Sequence, residues 1–131
     1  MAMNQARGPV ILRDIAKRQA ISEKYLWQVI NPLKGGGLVN SVRGAKGGYT
    51  LAKEPSAISV LDVVSILEGP VNVVECVDTP DACDRSSSCA TRGAWSEIET
   101  RLREVMAKIT LGELIQRQKD FELGGSVNYV I

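Results

Sequence analysis

The sequence contains no histidine among its 131 residues, and no pair of acidic residues stands in a recognisable catalytic frame. Histidine is the side chain that most often transfers protons near neutral pH, so the commonest general acid or base is missing. The sequence therefore offers no acid–base constellation, and we expect the protein not to be an enzyme.

Long apolar runs are also missing. No stretch approaches the roughly eighteen consecutive apolar residues that a membrane span needs. Polar and charged residues interrupt Met1–Arg18, which excludes a signal-peptide core there. We expect a cytoplasmic protein with no membrane contact, and its 44% hydrophobic content is enough for one modest core.

Cysteine is scarce, and all three cysteines, Cys76, Cys83 and Cys89, lie between Glu75 and Gly93. An odd number without an export signal argues against a disulfide framework, and the absence of a C-x-x-C pair argues against a zinc ribbon. Thiolates are soft ligands that suit iron–sulfur clusters. The pattern predicts a metal or cluster loop, with a zinc site of three cysteines and a carboxylate, or thiol redox sensing, as alternatives.

Positive charge is concentrated in the first part of the chain. Nine of the sixteen Lys and Arg residues but only two of the fifteen acids lie in residues 1–53, so that part carries +7 and the remainder −6. This division suggests a polyanion-binding module joined to a part that does not bind polyanions.

The basic part begins with the pattern of two short helices. Apolar residues from Ile11 to Ala16 recur at helical spacing and predict a helix that ends near Gln19. Ser22 is the expected N-cap of a second helix, with a kink or break at Pro32 and an end at the glycines that follow. The pattern fits a helix-turn-helix, although an ordinary helical hairpin would look the same.

A cationic hairpin is predicted next, with strands at Leu38–Val42 and Tyr49–Ala52. Arg43 and Lys46 at its tip place positive charge where DNA phosphates or a narrow minor groove would lie, and three glycines allow close approach. A basic loop alone is usually a solvated turn. After a helix-turn-helix, however, it indicates the wing of a winged-helix DNA-binding domain.

The outer face of the second helix is the expected reading surface. Lys24, Trp27 and Gln28 share that face. Lys24 can contact guanine or phosphate, Trp27 can contact a thymine methyl, and Gln28 can contact adenine. The alternative for Trp27 is packing against a neighbouring helix or a further segment. The candidate DNA-contacting residues are Ser22, Lys24, Tyr25, Trp27, Gln28, Arg43 and Lys46.

Three helices are predicted in the rest of the chain. The first follows an N-cap at Ser59 and stops at Gly69, and the second runs from Ala94 towards Ile109. The second carries an apolar seam that predicts pairing with a second copy, with intrachain packing as the alternative. A Thr110/Glu113 capping box begins the third, which runs through about Glu122. A flexible tail is expected from Gly124 to Ile131. The seam residues are Trp95, Ile98, Leu102, Val105 and Ile109.

The predicted fold is mainly α with a small β-hairpin wing. Residues 1–69 form the winged helix-turn-helix domain, residues 70–93 the cysteine loop, and residues 94–131 the dimerisation helix, a short helix and a tail.

The chain resembles the Rrf2 family of bacterial winged-helix regulators, including its iron–sulfur cluster regulators. The resemblance runs from Gly8 to Ile115 and rests on GLVNSVRGAKGGY, the cysteine loop and ITLGEL together. It implies a homodimer that pairs through the 94–109 helix and binds an inverted repeat in double-stranded promoter DNA. It also implies that Cys76, Cys83 and Cys89 hold an iron–sulfur cluster, with two irons favoured over four.

Three departures from the family pattern affect that transfer. An N-terminal helix normally precedes the segment Met1–Gly8, so we expect the start to be truncated or differently assigned. Arg92 stands where the family's histidine ligand would be, which leaves Glu75, Asp84, solvent or a thiol, the preceding segment or the partner subunit to supply the fourth ligand. Trp27 replaces a frequent Glu, which predicts a different DNA preference.

The expected function is a DNA-binding regulator that senses cluster, redox or nitric oxide status and controls genes for iron–sulfur cluster biogenesis. A small cluster carrier or electron-transfer protein is the alternative from another class. It would explain the cysteines but not the basic winged helix, and it predicts no salt-dependent DNA binding.

Overall fold

The computed structural model describes residues 1–124, and this range contains six α-helices and one antiparallel hairpin. The elements are α1 (Leu12–Gln19), α2 (Glu23–Gly35), β1 (Val39–Val42), β2 (Gly48–Leu51), α3 (Val60–Glu68), α4 (Glu75–Asp78), α5 (Ala90–Lys108) and α6 (Leu111–Gly124). Short 3₁₀ turns occur at Ala2–Arg7, Pro55–Ala57, Pro80–Ala82 and Ser86–Ser88. The predicted mainly α fold with a hairpin wing is confirmed.

The helix-turn-helix surrounds a small apolar core. Ala20 adopts the left-handed conformation, with φ 52°, and turns the chain between α1 and α2. Ser22 caps α2 as predicted, because its Oγ accepts a hydrogen bond from the Tyr25 N–H at 3.1 Å. The buried core residues are Leu12, Ala16, Leu26, Ile30 and Val39.

Of the kink or break predicted at Pro32, the break is wrong, because α2 continues through this residue. The helix ends at Gly35, as predicted from the glycines that follow. An internal proline costs a helix about 3 kcal/mol. The buried Ile30 before it and Leu33 after it both pack on the core, and this packing stabilises the last turn. At the end of α2, a Cβ on Gly36 would lie 2.5 Å from Ile66 Cδ1, so a glycine there allows α2 to approach α3 closely.

The wing is anchored to the segment before α1. In the hairpin, Val39 pairs with Leu51 and Val42 with Gly48. Val10 extends the hairpin by one residue, because its N–H donates to the Tyr49 carbonyl and its carbonyl accepts from the Tyr49 N–H, both at 2.9 Å. The base of the wing is therefore fixed to the helix-turn-helix.

The start predicted for the long helix is also wrong. α5 begins at Ala90, four residues earlier than expected, because Cys89 is extended and acts as its N-cap. Gly93, expected to precede the helix, lies inside its first turn, where a glycine costs only about 1 kcal/mol relative to alanine. The boundary between loop and helix thus falls at Cys89.

The junction between α5 and α6 is tied to the winged-helix domain. The Val60 N–H donates to the Ile109 carbonyl at 2.8 Å, and the Leu111 N–H donates to the Ile58 carbonyl at 2.9 Å. One half of the predicted Thr110/Glu113 capping box forms, because the Thr110 hydroxyl accepts from the Glu113 N–H at 3.2 Å. The Glu113 carboxylate bonds Arg117.

The Ser59 N-cap of α3 is confirmed, and its hydroxyl accepts from the Asp62 N–H. The tail was predicted from Gly124, but this residue is the last of α6. The rest of the predicted tail lies outside the described residues.

Candidate nucleic-acid interface and cysteine loop

The outer face of α2 presents the predicted reading residues to solvent. Lys24, Trp27 and Gln28 are exposed, while Leu26 and Ile30 on the opposite face are buried. Ser22 and Tyr25, in the first turn, are also exposed. An indole exposed to water forgoes the stabilisation that its burial would give. The position of Trp27 on this face therefore suggests a contact that the single chain does not make.

Trp27 contacts the wing. Its indole lies against the Tyr49 ring with a centroid separation of 6.0 Å and an interplanar angle of 88°, an edge-to-face arrangement. The indole is still 45% exposed. The packing alternative considered for Trp27 is thus partly realised, but its partner is a strand of the wing.

The wing tip carries the two predicted cations on its surface. Arg43 and Lys46 are both exposed. Gly44 has a φ of 114°, and a Cβ on Gly47 would collide with the Val42 carbonyl oxygen. The turn itself therefore requires glycines at these two positions, a reason that the sequence pattern did not reveal.

The three cysteines lie on one segment but in three different local structures. Cys76 is in the single turn of α4, Cys83 follows the 3₁₀ turn Pro80–Ala82, and Cys89 caps α5. Cys83 is exposed and the other two are half-buried. Within residues 1–124, no three Cys, Asp or Glu side chains are placed to hold a single metal ion. The donor type suits an iron–sulfur cluster, but a preformed mononuclear site is absent from this range.

Arg92 joins two parts of the cysteine segment, which is the predicted cysteine loop of residues 70–93. Arg92 lies in the first turn of α5. Its Nε donates to the Cys76 carbonyl at 2.8 Å, and its Nη2 donates to the Val77 carbonyl at 3.3 Å. These bonds satisfy carbonyl groups at α4 and hold that turn against α5. Sequence reasoning excluded Arg92 as a ligand but missed this role, because nothing local indicates a partner sixteen residues away.

A second arginine fixes the segment that leads into α4. Arg103 Nη2 donates to Glu99 Oε1 at 2.7 Å and to Asp78 Oδ2 at 3.1 Å, and its Nε donates to the Val71 carbonyl at 3.1 Å. Glu99 is only 2% exposed, and its carboxylate accepts hydrogen bonds from Arg103 and from the Val73 N–H.

The Cys89 thiol is hydrogen-bonded within the first turn of α5. The Thr91 hydroxyl lies 2.9 Å from its Sγ, and this hydrogen bond, together with that of the Arg92 backbone N–H, holds the pKa of Cys89 below its ordinary value of 9.0. Both groups belong to the first turn of α5, where unpaired N–H groups stabilise an anion.

The apolar seam of α5 remains uncovered in the single chain. Trp95, Ile98, Leu102 and Val105 are 40%, 49%, 41% and 55% exposed. α6 packs instead against the segments Ala2–Arg7 and Pro55–Ala57. Ile109, the fifth predicted seam residue, lies just beyond the end of α5 and is half-buried. Within residues 1–124, the other four residues are therefore the ones that intrachain packing leaves uncovered. None of the helices in that range is long and apolar enough to cross a bilayer.

A helix-turn-helix with an exposed second helix, followed by a hairpin with a cationic tip, defines a winged-helix DNA-binding protein. The chain belongs to the Rrf2 family, described as an iron-dependent transcriptional regulator family, which it matches over residues 1–117.

Similar proteins support the same class. The chain is 39% identical over 125 residues to the HTH-type transcriptional regulator IscR of Escherichia coli, covering 95% of this chain and 76% of that protein. The structure of T. potens IscR is similar, with a TM-score of 0.73, 37% identity and coverage of 97% and 81% of the two chains. That of CymR, the global cysteine regulator of B. subtilis, has a TM-score of 0.75, 38% identity and coverage of 88% and 84%. The chain is thus a transcriptional regulator related to both proteins.

Proposed function

We propose that this regulator is a homodimer that binds promoter DNA and whose binding depends on an iron–sulfur cluster held by Cys76, Cys83 and Cys89. The observation that carries the proposal is the double attachment of the cysteine segment to α5. Arg92 and Arg103 bond this segment, and the same helix exposes the apolar seam. A change at the cysteines would therefore act on the helix that sets the spacing of two subunits.

The DNA-binding part of the proposal uses the exposed residues of α2 and the wing. Gln28 can bond an adenine edge and Lys24 a guanine or a phosphate, because both side chains project from the outer face of α2. Arg43 and Lys46 supply phosphate or minor-groove contacts from the wing tip. Ser22, Tyr25 and Trp27 complete the proposed contact set.

Dimerisation is proposed through the α5 seam. Four large apolar side chains exposed on one stripe form a patch of the kind that marks a protein–protein contact. A two-fold axis would bury this stripe against itself and place two copies of α2 on successive half-sites of an inverted repeat.

The donor set fits a cluster better than a single metal ion. Three thiolates suit iron and sulfide, and a two-iron cluster distributes its ligands over two metal atoms. Such a cluster would supply a centre that responds to oxidants, nitric oxide and iron supply. The fourth ligand would come from Glu75, Asp84, solvent, a thiol or the partner subunit. A carboxylate or an exchangeable ligand would leave the cluster labile.

The first test is anaerobic purification followed by iron and sulfide analysis and DNA binding. We expect visible absorbance from the wild type and its loss in the Cys76→Ala, Cys83→Ala and Cys89→Ala variants, with altered affinity for promoters of iron–sulfur assembly genes. Arg85→Ala is the matched control, because it alters an exposed residue of the same loop without removing a thiol. Equal iron content and equal DNA binding in wild type and all three variants would exclude cluster sensing.

A thiol-based regulator without a cluster is the second candidate, and the lowered pKa of the Cys89 thiol favours it. In that case anaerobic protein would contain no iron or sulfide. Mild peroxide would change DNA affinity in the wild type and in Cys83→Ala but not in Cys89→Ala.

A further inference from the structure

We propose that Trp27, held in place by Tyr49, reads the C5-methyl group of a pyrimidine, and that thymine is therefore selected at one position of each half-site. This inference rests on the proposed binding of DNA by the outer face of α2. It adds the chemical group that Trp27 recognises and the residue, Tyr49, that positions Trp27.

The indole of Trp27 is fixed on one side and free on the other. The Tyr49 ring covers part of it in the edge-to-face contact, and 45% of the side chain remains exposed. An exposed aromatic side chain without such a neighbour would exchange between rotamers and lose entropy on binding. Trp27 avoids most of that cost because its neighbour is already in place.

Tyr49 is itself anchored. Its backbone forms two hydrogen bonds with Val10, it pairs with Ser41 in the hairpin, and its side chain packs against the helix-turn-helix core. A ring fixed by two strands and a core contact makes a firm support for a neighbouring side chain. The wing thereby determines where the indole of the second helix is placed.

The chemistry of the indole restricts what it can recognise. Trp27 has one N–H donor and no acceptor, so it cannot accept a hydrogen bond from the amino group of cytosine or adenine. In the major groove the only apolar group on a base edge is the C5-methyl of thymine. The neighbouring Lys24 and Gln28 carry the polar contacts, which leaves the exposed indole face for the methyl group.

Removal of single methyl groups from the DNA tests this contact. Sites are first selected from a random duplex pool with the wild-type protein, and each thymine is then replaced in turn by deoxyuridine, which lacks only the methyl group. Burial of one methyl group corresponds to about a fourfold change in affinity. We expect that loss at one thymine per half-site for the wild type and no loss there for Trp27→Ala.

Two controls make the result specific. Tyr25→Ala removes another exposed aromatic side chain from the same helix and should retain the full methyl effect. Replacing the critical thymine pair by a cytosine pair should weaken wild-type binding, and 5-methylcytosine should restore part of the loss. If every deoxyuridine substitution affects the wild type and Trp27→Ala equally, the methyl contact is excluded while DNA binding stands. If no site is selected over random DNA, the proposed function fails as well.

The positioning role of Tyr49 is tested with the same assay. Tyr49→Val suits a strand but removes the ring, so we expect it to abolish the methyl effect while binding to random DNA changes little. Loss of the ring's core contact should lower the thermal unfolding temperature, and circular dichroism at the assay temperature checks that the variant is folded. Tyr49→Phe keeps the ring and should keep the effect. A full methyl effect in Tyr49→Val would show that Trp27 needs no support from the wing.

Discussion

Arg103 shows how much a single side chain can organise in this molecule. It bonds a buried carboxylate, an exposed carboxylate and a backbone carbonyl, and the backbone carbonyl lies 32 residues away in sequence. The buried carboxylate belongs to Glu99, whose cost of desolvation is offset only while Arg103 and the Val73 N–H remain its partners.

Removal of Arg103 should therefore destabilise the fold. We expect Arg103→Ala to lower the free energy of unfolding by about 2 kcal/mol, because it leaves a buried charge with one weak partner. Arg101→Ala is the matched control on the same helix. Its ion pair with Glu104 is exposed and should contribute less than about 0.5 kcal/mol. Urea unfolding measures both, and equal losses would mean that Glu99 does not depend on Arg103.

At the scale of secondary-structure elements, the sequence identified the capped helices well. Ser59 was predicted as the N-cap of α3, and the structure adds a reciprocal bond from the Ser59 N–H to Asp62 Oδ2 at 2.8 Å. This backbone hydrogen bond, with that of the Ser59 hydroxyl, lowers the pKa of Asp62 below its ordinary value of 3.8.

The depressed pKa predicts the pH dependence of the cap. Because the folded pKa lies below the unfolded value, the stabilisation is complete well above pH 3.8 and is lost as the pH falls through the folded pKa. We expect Asp62→Ala to cost about 0.5 kcal/mol at pH 7, with the difference from the wild type shrinking on acidification. Ser59→Ala removes the hydroxyl and should cost about 1 kcal/mol. Its pH dependence should be weaker than that of Asp62→Ala, because the backbone hydrogen bond, the larger cause of the lowered Asp62 pKa, remains. Urea unfolding between pH 7 and 3 checks both variants, and a constant Asp62→Ala difference would contradict the assignment.

Two local signals did not have their predicted effect. Pro32 was expected to kink or break α2, and Gly93 was expected to precede α5, yet both residues lie inside helices. In α2 the packing of Ile30 and Leu33 on the core outweighs the local preference, since core burial stabilises more than propensity penalises. The glycines after Leu33 did predict the end of α2.

At the scale of the whole molecule, the uncovered α5 seam is the main feature that one chain leaves unexplained. Its residues are too exposed for an intrachain core and too regularly spaced for a random surface. A second copy that packs on the same stripe would bury it.

Charge placed on the seam should therefore separate the subunits. We expect the wild type to be a dimer at micromolar concentration and Leu102→Glu to be a monomer, because each carboxylate would be buried near an apolar stripe and its own symmetry mate. The change in dimer Kd should exceed about a hundredfold. Thr100→Glu adds the same charge to an exposed position of α5 outside the seam and should remain dimeric. Sedimentation measures the mass and circular dichroism checks the fold. A monomeric wild type would exclude the seam as an interface.

The sequence by itself determined the winged-helix elements, the caps at Ser22 and Ser59, the exposed face of α2 and the presence of three thiols on one segment. These features depend on periodicity, capping and composition within a few residues, so local physics was sufficient to predict them.

Only the tertiary structure decided that Glu99 is buried, that Arg92 and Arg103 attach the cysteine segment to α5, and that Tyr49 supports Trp27. Each of these contacts joins residues from different elements. Their formation depends on how the chain packs as a whole, because a side chain's local sequence sets its chemistry but not which distant group it meets.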